Sequence, residues 1–140
     1  LKSYSHVAII TPHIGEFMRL TGLTKEELLK DSVAAAKCFA QEFNVILVMK
    51  NAVTVVAEPC ENGRAYINSS GTGAMSKAGM GDVLTGVIAG MLSLRIEPFS
   101  AACMGVYLHG IAGEIAEEEQ GSHSVMAGDV VNILGKAVNK

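Results

Sequence analysis

The sequence lacks the marks of a secreted, membrane-bound, zinc-binding or nucleic-acid-binding protein. Its three cysteines, Cys38, Cys60 and Cys103, are an odd number with no close pair. That argues against a disulfide framework, a zinc spacing or a Cys-x-x-Cys redox motif. Cys38 and Cys103 lie in apolar helical patterns, so both are expected to be buried thiols, and a reducing, cytoplasmic setting fits them. Basic residues are scattered and the net charge is −3, which gives no electrostatic case for nucleic acid or an anionic membrane. The longest uncharged run, residues 98–113, is broken by glycines and a histidine and is too short to span a bilayer. Residues 1–6 have no signal-peptide layout. There is no internal repeat and no low-complexity tract. Acidic residues group only at Glu117-Glu118-Glu119, which reads as a solvated helix end.

What is present is one domain's worth of chain. The 140 residues, 49% of them apolar, suffice for a real core. The most informative stretch is Gly71-Thr72-Gly73-Ala74-Met75-Ser76-Lys77-Ala78-Gly79-Met80-Gly81-Asp82. It runs into Val83, Leu84, Val87, Ile88, Met91 and Leu92, apolar residues at helical spacing. Asp82 therefore belongs at or next to a helix N-terminus, where unpaired N–H groups and the helix dipole favour an anion. Gly79 and Gly81 bring bare backbone to that place, so phosphate can approach closely. A carboxylate there could take a proton from a hydroxyl while the N–H groups hold a phosphoryl group. The plainer alternative is that Asp82 is an ordinary N-cap after loop glycines.

Taken in order, residues 6–11 form an apolar, β-branched run without alternation, as in a strand buried on both faces of a parallel sheet. Pro12 ends it by restricting Thr11 to extended conformations. His13, Ile14, Gly15 and Glu16 then lead into a short helix. A strand-to-helix turn at the carboxyl edge of a parallel sheet is where α/β folds bind ligands. His13 is either part of such a site or a loop histidine, and Glu16 could equally be a carboxylate that stabilises the helix dipole.

Thr24-Lys25-Glu26-Glu27 is a capping-box pattern. Helix continues from Ser32 to Phe43, with Val33, Ala36, Phe39, Ala40 and Phe43 on one side and Asn44 closing it. Val45 to Met49 is a second buried strand, with Lys50 at its carboxyl end. Lys50 there either pairs with phosphate or simply reaches solvent. Residues 53–57 and 64–68 read as a hairpin around Glu61-Asn62-Gly63, which delivers the chain into the glycine-rich loop. Pro98 starts a long helix to about Glu119, ended by Gly121. Its small residues Ala101, Ala102, Gly105, Ala112 and Gly113 are expected to pack on the preceding helix, where Gly86 and Gly90 are similarly small. His109 reads as structural. A last helix covers residues 130–138, with Asp129 as its cap. The order is strand, helices, strand, hairpin, glycine loop and three helices, an α/β arrangement with at least part of the sheet parallel.

Three segments together are specific: Thr-Pro-His-x-Gly-Glu at 11–16, the Lys50 strand end, and Ala-Gly-Met-Gly-Asp-Val-Leu-Thr-Gly at 78–86. They resemble the ADP/ATP-dependent NAD(P)H-hydrate dehydratases of the ribokinase-like superfamily, formerly classed as carbohydrate kinases. Tyr107-Leu108-His109-Gly110 and the Pro98-Phe99 helix start are similar to the same family. The resemblance runs through essentially all of the chain and covers the carboxyl-terminal half of the family's domain.

It implies a ribokinase-like layered α/β/α fold with a mainly parallel sheet, residues 1–140 forming a single unit from its carboxyl-terminal portion. It implies a lyase that repairs hydrated NADH or NADPH, using ADP or ATP with Mg²⁺. The ring hydroxyl would be phosphorylated and then eliminated. Asp82 would be the catalytic base and, with His13, would contact the substrate. Lys50, Asn51, Ala52, Val53, Thr54 and Gly81 would contact the nucleotide. Gly79, Met80 and Gly81 would form the anion hole. No carboxylate cluster for a metal is evident. The usual Lys-Gly-Ala-Gly-Thr segment is here Lys50-Asn51-Ala52-Val53-Thr54, and β-branched Val53 resists positive φ. Residues 68–75 keep Asn68, Gly71 and Met75 of the family's loop. Two other readings stand beside this one, a ribokinase-like small-molecule kinase and a nucleotide-binding half-domain without turnover. An exposed sheet edge would favour a homo-oligomer.

Overall fold

A computed structural model describes residues 8–139. The expectations placed on residues 1–7, including the His6 and Val7 end of the first strand, lie outside the described residues. The chain divides into two compact units, Leu1–Asn68 and Ser69–Lys140.

The first unit contains strands β1 (Ala8–Ile10), β2 (Val45–Met49), β3 (Thr54–Ala57) and β4 (Ala65–Asn68), ordered β1-β2-β3-β4. β1 pairs with β2 in parallel, Ile9 opposite Ile46. The pairs β2–β3 and β3–β4 are antiparallel. The mainly parallel sheet expected from the family is thus represented by one of these three pairings. The connection from β2 to β3 is too short for a parallel crossover, which needs a dozen or more residues.

Three helices cover one face of this sheet: α1 (Ile14–Thr21), α2 (Lys25–Lys30) and α3 (Ser32–Phe43). Their core joins Phe17, Leu28, Ala36, Phe39 and Ala40 to Val45, Leu47, Met49, Val55 and Ala57. Phe39 meets Phe17 edge-on at 5.1 Å and stacks on Phe43 at 4.4 Å between ring centroids. All five residues of β2 are buried, as the unbroken apolar run requires. β1 differs from expectation. Its three residues are only partly buried, because it is an edge strand of this sheet.

Helix boundaries follow their caps. The Thr24 hydroxyl accepts from Glu27 N–H at 3.2 Å, and the Glu27 carboxylate accepts from Thr24 N–H at 2.8 Å. Asp31 interrupts the helix and caps α3, its carboxylate accepting from Ala34 N–H at 2.8 Å. Asn44, at φ 53°, closes α3. Cys38 is exposed and Cys103 half-buried, against the expectation of two buried thiols. Cys38 lies on the side of α3 opposite the buried Ala36–Ala40 stripe. In the β3–β4 loop, Gly63 does not adopt positive φ. Glycine is required there because a Cβ would lie 2.5 Å from the Glu58 carbonyl oxygen.

The second unit holds a short 3₁₀ turn (Gly73–Met75) and helices α4 (Met80–Ser93), α5 (Pro98–Gln120) and α6 (Ala127–Ala137). Its core gathers Ala74, Met80, Ala112, Ile115, Ala116, Val125, Val130 and Ile133. Glu97 caps α5, accepting from the N–H groups of Phe99 and Ser100 at 2.9 and 3.0 Å. Gly121, at φ 82°, ends it. His109 is buried within α5.

The α5 glycines divide their work. A Cβ at Gly105 would fall 2.6 Å from Ile88 on α4, the close helix approach anticipated. Gly110 and Gly113 instead admit the loop: a Cβ would lie 2.9 Å from Gly71 N and 2.1 Å from Met75 Sδ, respectively. Gly86 and Gly90 are exposed, with nothing within 4 Å of a Cβ, so they take no part in the helix contact. α6 begins three residues before the expected Val130, which makes Asp129 its third residue rather than its cap. Among the described residues no helix is long and apolar enough to cross a membrane.

Candidate functional site

In the first unit the ends of β1 and β2 continue as an irregular parallel ladder. Lys50 N–H donates to the Pro12 carbonyl at 2.8 Å, and Ile14 N–H donates to the Lys50 carbonyl at 2.9 Å. His13 and Lys50 form an isolated parallel bridge. Two of the residues singled out from sequence, 37 positions apart, are therefore brought side by side. They sit at the carboxyl edge of a parallel strand pair, the place where α/β sheets receive ligands.

His13 is the N-cap of α1. Its Nδ1 accepts from the N–H groups of Gly15 and Glu16 at 3.1 and 3.2 Å. The Glu16 carboxylate returns the bond, accepting from His13 N–H at 2.8 Å. A neutral imidazole has one acceptor nitrogen. With Nδ1 in that role the proton resides on Nε2, which stands 3.5 Å from Glu16 Oε1 on an exposed ring. The Glu16 carboxyl is held below its ordinary value, chiefly by the bond from His13 N–H; desolvation comes next and opposes it, and electrostatic attraction from the neighbouring His13, Lys50 and Arg19 adds to the lowering.

From Lys50 the chain bends through Asn51, Ala52 and Val53, all exposed, and enters β3 at Thr54. None of residues 50–54 has positive φ. The loop is thus built without the conformations that glycines would have supplied, and Val53 fits it unstrained.

In the second unit Gly79, Met80, Gly81 and Asp82 lie on a single turn. Gly79 is the N-cap of α4, at φ 86°, and no side chain caps the helix. Asp82 is its third residue, so it is not the N-cap that the plainer reading supposed. Asp82 N–H donates to the Gly79 carbonyl at 3.1 Å, and Met80 N–H makes a long 3.4 Å bond to the Lys77 carbonyl. The N–H groups of Gly79 and Gly81 have no acceptor among the described residues.

Asp82 is distinguished by what its carboxylate does not do. Glu16, Glu27 and Asp129 occupy the same third position in α1, α2 and α6. Each turns back to accept its own cap N–H at 2.8 Å. Their caps are extended, at φ −76°, −74° and −119°. The left-handed backbone of Gly79 removes that arrangement. The Asp82 carboxylate is exposed and has no hydrogen-bond or ion-pair partner among the described residues. An acid at a helix start, beside two unaccepted N–H groups, can receive a proton next to a bound anion.

Sequence reasoning gave no role to the residues that hold this turn. Glu114 on α5 accepts from Gly71 N–H at 2.7 Å. The Ser70 hydroxyl donates to the Tyr107 carbonyl at 3.1 Å. Lys77 Nζ donates to the carbonyls of His123 and Val125 at 2.7 and 2.8 Å. Helical spacing marks Glu114 only as a polar residue, and its partner 43 positions away has no local signal.

Comparison with known proteins identifies the family. A sequence model of the NAD(P)H-hydrate dehydratase family matches residues 1–136. A bifunctional NAD(P)H-hydrate repair enzyme of Moorella thermoacetica is 43% identical over 126 residues, covering 90% of this chain and 23% of that protein. An ADP-dependent (S)-NAD(P)H-hydrate dehydratase of Bacillus subtilis is 40% identical, over 90% of this chain and 45% of that protein. The crystal structure of an ADP/ATP-dependent NAD(P)H-hydrate dehydratase from Bacillus subtilis, co-crystallised with ATP/Mg²⁺, superposes with a TM-score of 0.88 at 38% identity. That match covers 95% of this chain and 47% of the other. The chain thus spans less than half the length of each of these proteins. It has the ribokinase-like fold and belongs to the NAD(P)H-hydrate dehydratase family.

Proposed function

We propose that the chain contributes to nucleotide-driven repair of hydrated NADH or NADPH in the cytoplasm. The observation that carries this reading is the uncapped start of α4. Asp82 alone among the acidic third residues of α1, α2, α4 and α6 leaves its cap N–H unbonded, so its carboxylate is available to a ligand.

Asp82 takes the proton of the ring hydroxyl as that oxygen attacks the terminal phosphorus of ADP or ATP. A new oxygen–phosphorus bond forms while the bond to the remaining nucleotide breaks. The N–H groups of Gly79 and Gly81 hold the phosphoryl oxygens, joined by that of Met80 once its long bond to the Lys77 carbonyl opens, and such transfer depends mainly on positioning and charge stabilisation. Phosphate then leaves the ring carbon, a proton leaves its neighbour, and the ring double bond returns. His13 offers its Nε2–H to the hydrated nicotinamide. Lys50, Asn51, Ala52, Val53, Thr54 and Gly81 contact the nucleotide, Lys50 by its charge and the exposed bend by its backbone. No group of three or more His, Cys, Asp or Glu that could hold a metal lies among the described residues. Mg²⁺ would enter with the nucleotide, held largely by its phosphates, and would neutralise charge there.

Recovery of nicotinamide absorbance from hydrated NADH, followed with ADP, with ATP and with neither, tests the reading. Nucleotide-dependent recovery is expected, with Asp82→Asn abolishing it while ADP binding persists. Recovery that survives Asp82→Asn would overturn the role of Asp82. A second reading, nucleotide binding without turnover, is favoured by the chain's spanning 45% of its Bacillus relative. It predicts ADP binding with no recovery from this chain and recovery from a chain extended upstream. Nucleotide binding with no recovery from either would favour a small-molecule kinase. Pairing between copies belongs to the same proposal and rests on the partly exposed edge strand β1; a monomer by light scattering would dismiss it.

A further inference from the structure

The turn that presents Gly79 and Gly81 is held from outside by a single cation. Lys77 precedes Gly79 by two residues, and its ammonium donates to the carbonyls of His123 and Val125 at 2.7 and 2.8 Å. Those carbonyls belong to the connection between α5 and α6. The first residue of α6 meets the turn as well, where a Cβ on Gly79 would lie 3.2 Å from the Ala127 Cβ. Upstream, the loop is tied to α5 by the bond from Gly71 N–H to Glu114 at 2.7 Å. The Glu117 carboxyl is held below its ordinary value first by Ser122 and then by Thr72, residues of the 121–126 connection and of the glycine-rich loop.

Both of the Lys77 acceptors are neutral. Among the described residues the ammonium has no carboxylate partner, and it is half-buried. Its charge is therefore uncancelled two residues before the N–H groups that would receive an anion. A charged donor to two carbonyls is also a stronger tie than a neutral one.

We propose that Lys77 is a positioning residue for the phosphate cradle at the start of α4. It pins the Gly79 turn to the 121–126 connection, so that the N–H groups of Gly79 and Gly81 are set before a ligand arrives, and it supplies positive potential there. The role rests on the phosphate-binding reading of residues 79–82 given above.

The test compares wild type, Lys77→Met and Lys77→Arg in three measurements: thermal denaturation, amide exchange without ligand, and ADP affinity by calorimetry. Methionine keeps the length and loses the donors and charge; arginine keeps both. Lys77→Met is expected to exchange the amides of Asp82, Val83 and Ser124 faster together. It is also expected to bind ADP about tenfold more weakly, with Lys77→Arg recovering most of the loss. A lysine with a merely structural role would lower the melting temperature and leave the affinity of the folded protein unchanged. An ADP affinity within about twofold of wild type in Lys77→Met would therefore overturn the proposal. If wild type bound no ADP, the phosphate-binding reading would fail, and the exchange measurement would still decide the clamp. Unchanged exchange in both loops would overturn it.

Discussion

His13 and Glu16 cap one helix reciprocally. The imidazole Nδ1 accepts two backbone N–H bonds from the first turn of α1, and the Glu16 carboxylate accepts the His13 N–H at 2.8 Å. The ring is thereby fixed as the tautomer with its proton on Nε2. Nitrogen chemical shifts of His13 in alkaline solution should report a protonated Nε2 and an unprotonated Nδ1; the opposite pattern would reject the assignment. His13→Ala removes the acceptor and should cost about 1 kcal/mol of stability by chemical denaturation, while His13→Asn keeps a capping oxygen and should recover most of it.

Four carboxyls, Glu16 and Glu27 exposed and Glu58 and Glu117 half-buried, respond to pH in the same sense. Glu16, Glu27, Glu58 and Glu117 are each held below the ordinary glutamate value of 4.5. Hydrogen bonds are the leading cause, from His13 N–H, Thr24 N–H, the Arg64 side chain and Ser122, respectively. A folded-state value below the unfolded one means that the unfolded chain binds more protons as pH falls. Their contribution is fully present above about 4.5 and is lost as pH drops through the folded-state values. Denaturation midpoints should be flat in this respect from neutrality down to about pH 5 and fall below about pH 4. Glu27→Gln should shallow that fall, and an unchanged slope would count against the carboxyl's part in it.

Stability also separates a working carboxylate from a capping one. Asp129 accepts the Met126 N–H at 2.8 Å, whereas Asp82, at the same position of its helix, caps nothing. Asp129→Ala should therefore lower stability by about 1 kcal/mol. Asp82→Ala should lose only a dipole interaction of about 0.3–1 kcal/mol, and Asp82→Asn no more than that. If Asp82→Asn destabilised the protein as much as Asp129→Ala, the carboxylate would be serving the fold, and its loss of activity could not be read as chemistry.

Local sequence rules found what local physics builds. The unbroken apolar run from Val45 to Met49 gave a fully buried strand, and Thr24 with Glu27 gave a capping box where that pattern said one should be. The residues of the candidate site were nameable because glycines and an acid before an apolar periodicity restrict what a backbone can do. Boundaries and exposure were less legible. Asp129 resembled an N-cap because Asp is favoured there, but the helix starts two residues earlier and uses the same carboxylate from inside. Cys38 lies in the apolar run of α3, yet it falls on the side of the helix opposite the buried stripe. The ties that hold the glycine loop, Lys77 to Val125 and Gly71 to Glu114, span 48 and 43 positions. Nothing in either neighbourhood announces its partner.

The glycines of α4 and α5 give the sharpest contrast between a small residue that makes room and one that does not. At Gly110 a Cβ would meet backbone, 2.8 Å from Ser70 C and 2.9 Å from Gly71 N, as well as the Ser70 hydroxyl at 2.2 Å. Backbone cannot swing aside, so Gly110→Ala should displace the glycine-rich loop and cost at least about 1–3 kcal/mol, the range for overpacking. At Gly113 the obstacle is the side chain of Met75, a flexible thioether that can change rotamer, so Gly113→Ala should cost less than Gly110→Ala. Gly86 and Gly90 lie inside α4 at negative φ, exposed, with nothing within 4 Å of a Cβ. Alanine there reduces the conformational freedom of the unfolded chain and strengthens the helix, by about 0.4–1 kcal/mol at each site. The double variant Gly86→Ala/Gly90→Ala should therefore melt higher than wild type, and Gly110→Ala lower, in one series of thermal denaturations. A lower melting temperature for the double variant would mean that the open face of α4 is packed against something in the folded protein.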